Sequence, residues 1–241
     1  MRRDRRTIPR AIIGWLPRGV LSALAVLASG GALALDLSGL SNQDASAGVK
    51  AALERGSEIA VAKLGVTDGF LSNPKVKIPL PGVLKQGESA LRMMGMGKQA
   101  DELIVAMNRA AEAAVPAAKP LLLNAVKSMS LGDAKSILTG GDGSVTRFFK
   151  EKTQQPLSAK FLPVVKRATE KVGLAQKYNE YAGQGVKLGL VKGDAASVEQ
   201  YVTQKALDAL YAMIAEEEGA IRKNPLGAGS AILGKVFGAL K

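Results

Sequence analysis

Apolar and small side chains recur every three or four positions along most of the chain. From Ser41 to Leu64, Val49, Ala52, Leu53, Gly56, Ile59, Ala60 and Leu64 share one face, the period of an amphipathic helix. Ser41 with Asp44 forms a capping-box pattern, and Gly65 stands where that helix should stop. Helical spacing resumes over Val83–Met94, then over Lys98–Val115, where Leu103, Ile104, Met107, Ala110, Ala111 and Ala114 make a wide stripe. Pro116 separates this from a helix over Ala117–Met129. Ser130 and Asp133 form a second capping box, opening a helix to Leu138. A helix starts at Ser144 and runs to Lys152. Pro156, as a first-turn proline, opens another to Val172 that Pro163 kinks. A shorter helix covers Leu174–Ala182. The clearest, Ser197–Lys223, ends at Asn224-Pro225, and Leu226–Leu240 reads as a last amphipathic piece.

Val66–Gly82 breaks the pattern with three prolines and two glycines, while Lys75-Val76-Lys77-Ile78 alternates. Alternation predicts a short extended arm or hairpin near 73–81. No repeat of fixed period is present. Helices joined by short turns predict an all-α, bundle-like single domain over 35–241.

The first 34 residues follow another logic. Arg2, Arg3, Arg5, Arg6, Arg10 and Arg18 oppose only Asp4, Gly19–Gly31 is apolar and small, and Ala32-Leu33-Ala34 fits a cleavage site. That order predicts a signal peptide over 1–34, cut between Ala34 and Leu35. The apolar run is too short for a standard membrane span. Arg5-Arg6 lacks the apolar pair that follows a twin arginine, which favours the general secretory route. The expected product is periplasmic and, without a Cys for a lipid, unanchored.

Composition narrows the chemistry. The chain has no His and no Cys, and only 4% aromatics. This excludes imidazole or thiolate metal sites, Ser–His and Cys–His catalysis, and disulfides. No metal or cofactor is expected. The net charge of +12 falls to +7 without the first 34 residues, which hold six Arg and one Asp. A basic surface suits an anionic envelope ligand or a membrane surface. Nucleic acid is not expected as a partner, for want of a motif or stacking aromatics.

Four stretches in order carry a family resemblance: Phe70–Lys85, Met93–Pro116, Met129–Thr153 and Tyr201–Pro225. Together they resemble an exported bacterial family known as domain of unknown function 4197. The resemblance implies a signal peptide, a helical domain and the bacterial envelope. It supplies no substrate and no catalytic residue.

Two loops offer candidate sites. Gly141, Asp142 and Ser144 precede a helix whose first turn carries Arg147, and amides with a guanidinium suit a phosphate or carboxylate. In the competing reading Asp142 simply caps that helix. Asn73, Lys75 and Lys77 offer a basic edge, or else a packed connector whose lysines guard it. If the loops meet, they form one anion-seeking pocket. Ser72 and Lys75 match S-x-x-K, but Pro74 denies them the helix that motif needs. Met93, Met94, Met96 and Met107 could attract Cu(I), but they read as flexible core filler. Glu216–Glu218 point three ways round a helix, so they form no catalytic pair. Glu218 with Arg222 reads as an i,i+4 pair on a solvated face, and Tyr178 and Tyr181 as packing residues. The expected function is a non-enzymatic binding or structural module. The alternatives are a carrier of a lipid or other apolar or anionic ligand, and a hydrolase or lyase that needs neither His nor Cys.

Overall fold

A computed structural model describes residues 41–187, 196–224 and 236, with backbone alone at 83 and 183–187. The chain divides into two units, Met1–Ala34 and Leu35–Lys241, and every described residue belongs to the second. The expected signal peptide, and Leu226–Leu240 apart from Val236, lie outside the described residues.

The described residues form nine α-helices and no strand. They are α1 (Asn42–Leu64), α2 (Gly82–Gln86), α3 (Glu88–Met93), α4 (Gly97–Ala114), α5 (Ala118–Lys127), α6 (Leu131–Thr139), α7 (Ser144–Thr169), α8 (Gly173–Lys187) and α9 (Val198–Lys223). The all-α expectation holds. The Ser41 and Ser130 caps fall where the sequence puts them, and Ser197 adds a third. Ser41 Oγ accepts from the Asp44 amide at 3.0 Å. Ser130 and Asp133 make both halves of their capping box. Ser197 Oγ accepts from the Gln200 amide at 3.2 Å. Each satisfies an amide that the first helical turn leaves unpaired.

α7 departs from expectation. It runs unbroken through Pro156 and Pro163, so Pro156 opens no new helix. Each proline leaves the carbonyl four residues back without its amide partner, at Lys152 and Ala159. All four residues are exposed, so water can serve those carbonyls. The opposite face buries Phe149, Leu157, Phe161 and Val165 completely, and that burial holds the helix together across both prolines.

α7 and α9 pack along one another, and α4 packs on both. α1 lies against α9 and also against α5 and α6. Leu53, Leu64, Leu103, Met107, Leu122 and Tyr211 are among the large side chains fully enclosed between these helices. No described helix is long and apolar enough to cross a membrane.

Candidate functional site

The proline-rich segment is held down by two polar residues that interrupt the apolar stripe of α4. Asn108, fully buried, treats Ile78 as a neighbouring strand would. Its Oδ1 accepts from the Ile78 amide at 2.8 Å, and its Nδ2 donates to the Ile78 carbonyl at 2.9 Å. One turn on, Glu112 Oε1 accepts from the amides of Phe70 and Leu71 at 3.0 and 3.1 Å. Burial works to raise the Glu112 pKa, but Arg109 and the two amides outweigh it and hold it below the usual value. Arg109 also pairs with Asp68 at 2.8 Å, whose φ of 68° is a left-handed value that Asp tolerates. Phe70, Ile78 and Leu80 are buried. The segment is therefore a plugged connector, with side chains of α4 in place of a hairpin partner.

Its predicted site residues are largely occupied. Asn73 Oδ1 accepts from the Lys75 amide at 3.1 Å. Lys75 reaches Glu216 on α9 at 2.9 Å. Lys77 is exposed.

The glycine turn lies against the same helix, on its other side. Gly141 and Gly143 take φ of 65° and 81°. Gly143 is the N-cap of α7 and makes no side-chain cap, so Asp142, which is exposed, does not play the capping role. Ser144 is buried. Its Oγ donates to the Ile137 carbonyl at 2.8 Å and accepts from Arg222 at 3.1 Å. Arg222 also donates to the Ile137 carbonyl at 2.8 Å and to Glu218 at 2.9 Å. Glu218 is only 7% exposed, which corrects the solvated-face expectation, because α1 and the start of α7 cover this face of α9. Burial pushes the Glu218 carboxyl above the usual range, with Arg222, Ser144 and the Val145 amide pulling it back. Arg147 is exposed and shares a shallow polar depression with two acids, Asp133 and Glu151.

The Glu216–Glu218 run explains why the loops do not share a pocket. Successive helical residues turn by about 100°. Glu216 therefore meets Lys75, Glu217 meets Lys63 of α1 at 2.6 Å, and Glu218 meets Arg222 and Ser144. The two loops attach to opposite sides of α9.

A different place gathers open apolar surface. α3 ends in a Schellman motif: the Met96 amide donates to the Leu91 carbonyl at 2.8 Å and the Gly95 amide to Arg92 at 3.1 Å, with Gly95 at φ 77°. This closure brings the residues before and after it together. Leu91 and Met96, with Leu84 of α2, form one wall of a groove of about 500 Å³. α8 supplies the other wall through Leu174, Tyr178 and Ala182, with Tyr181 and Lys177 exposed beside them. α8 is pinned by Asn179, which accepts from the Val198 amide at 2.8 Å and donates to Glu199 at 2.9 Å, at the start of α9.

Several assignments change here. Met107 is core and Met96 half-buried, but Met93 and Met94 are 83% and 74% exposed, because the tight closure turns them outward from a helix with no buried residue. Tyr178 packs as expected, whereas Tyr181 is 71% exposed and lines the groove. Of the groove residues only Met96 was weighed as a site in the sequence, and that for copper, not for an apolar ligand. Local signals existed, in Leu91-x-x-x-Gly95-Met96 and in the Leu174, Tyr178, Tyr181, Ala182 stripe, but neither shows that the two walls face each other.

Neither a curated protein nor a solved structure matches the chain. A family model described as protein of unknown function DUF4197 matches residues 39–238, which covers every helix just described, and the chain belongs to that family.

Proposed function

We propose that the chain is an exported, non-enzymatic binding protein whose α2–α3–α8 groove takes the apolar part of a small molecule. The observation that carries this is the groove itself: about 500 Å³, open, and lined chiefly by Leu, Met, Tyr and Ala. Small-ligand sites are apolar clefts of roughly 300–1,000 Å³ with few polar groups. Water in such a space is displaced favourably by apolar surface. A protein partner fits poorly, since stable interfaces use about 20–30 residues a side and eight described residues line this groove. The two loops suit a ligand less well, because Lys75 is paired with Glu216 and Ser144 with Arg222.

Nile red, an uncharged dye that brightens in apolar surroundings, tests the groove. Saturable binding to the purified chain is expected. Leu91→Asp should weaken it by about tenfold or more, the cost of losing one apolar contact and burying a charge. The helical signal should persist, since Leu91 is only half-buried. Binding that is absent, or indifferent to Leu91→Asp, would remove this reading.

Export rests on the basic, apolar and small-residue order of the first 34 residues. The division of the chain after Ala34 means that a cut there leaves the helical unit whole. N-terminal sequencing of the accumulated protein should start at or near Leu35. Intact Met1 on a cytoplasmic product would refute it.

A further inference from the structure

Lys177 is the one charged residue among the described groove lining. It sits on α8 one turn after Leu174 and one turn before Tyr181, so its aliphatic stem follows the apolar wall while its ammonium reaches water. No carboxylate of a described residue pairs with it, and it is exposed. Arg92, next to Leu91 of the opposite wall, is already engaged: it is held by Glu88 at 2.8 Å and Asp101 at 2.7 Å. Glu180, three residues beyond Lys177, is not part of the lining. The groove therefore combines an apolar trough with a single uncommitted positive charge.

Resting on the groove reading above, we infer that the ligand is a single-chain amphiphile with an anionic head. The chain lies between Leu91 and Met96 on one wall and Tyr178 on the other. The carboxylate or phosphate head meets Lys177, with the Tyr181 hydroxyl one turn away as a second donor. A cationic head would meet Lys177 with the wrong sign and find no carboxylate in the lining. A neutral head would leave the ammonium unused. An anionic head gains a charge-assisted hydrogen bond at the edge of a low-dielectric trough.

Competition for Nile red on the full chain tests this, with dodecanoate, dodecyl phosphate and 1-dodecanol as competitors of equal chain length. Both anions should displace the dye at about tenfold lower concentration than the alcohol, the size of one hydrogen bond to a charged group. The tighter of the two identifies the head, free acid or phosphate ester. Lys177→Glu should bring the anion-to-alcohol ratio to one or reverse it, and Lys177→Arg should keep it. Equal competition by alcohol and anions would overturn the inference while leaving the groove in place. So would a preference that survives Lys177→Glu. Failure of Nile red to bind at all overturns the groove reading and the inference together.

Discussion

Single residues set how the irregular part of the molecule is held. Asn108 makes three hydrogen bonds, two to Ile78 and one to the Ile104 carbonyl at 2.7 Å. Replacing it with Ala leaves the buried Ile78 amide and carbonyl without partners, at about 1–3 kcal/mol each. Asn108→Ala should therefore lower stability in urea by about 2–6 kcal/mol and expose the segment around Lys75 to proteolysis. A loss below about 0.5 kcal/mol, the range of an ordinary surface substitution, would show that the clasp holds nothing. Glu112 and Glu218 are similarly enclosed, at 5% and 7% exposed, yet they shift in opposite directions from 4.5. The Glu112 carboxyl is held below its unfolded value, so its contribution is present above pH 4.5 and lost as the pH falls through its folded pKa. Glu218 lies above its unfolded value. The folded state then binds the proton more tightly, and stability declines as the pH rises from 4.5 through the folded pKa. Urea melts of Glu218→Gln across this window should gain stability relative to the parent as the pH rises. Parallel curves would mean that Glu218 titrates as it does in the unfolded chain. The apolar stripe of α4 was legible, but the importance of Asn108 and Glu112 was not. A polar residue inside an apolar arc signals burial without naming its partner, and these partners lie 30 and 42 positions away.

At the scale of elements, local chemistry decides starts and stops, and packing decides continuity. The Ser41 and Ser130 caps were legible because each bond spans three residues. The prolines of α7 were misleading because their cost is local and their remedy is not: Phe149, Leu157, Phe161 and Val165 anchor the helix in the core. The α3–α4 corner is the element on which the groove depends. Gly95 sits at φ 77° with open space where a Cβ would project, so Gly95→Ala meets no clash, only the left-handed backbone cost of about 1–2 kcal/mol. Its thermal midpoint should fall modestly. Nile red affinity should fall further than that of a control Gly132→Ala, because relaxing the corner moves Met96 off the wall. Equal affinity in the two variants would separate the corner from the site.

For the whole molecule, the far-ultraviolet circular dichroism should be that of a helical protein, without a sheet component even from the residues around Val76 and Ile78. A clear sheet signal would contradict both the periodicity and the fold. The sequence by itself determined the helical class, the position of most helices, the caps, the exclusion of imidazole and thiolate chemistry, and the family. All of these follow from spacing within one or two turns, from composition, or from signatures read in order along the chain. Tertiary structure alone decided that the proline-rich segment pairs with α4 instead of forming a hairpin, and that the two candidate loops flank α9 on opposite sides. It also decided that Glu218 is buried, and that Leu91 and Met96 face Tyr178 and Lys177 across a groove. These depend on which helices meet and on what each covers, and residues some 80 positions apart carry no local periodicity that could announce their meeting.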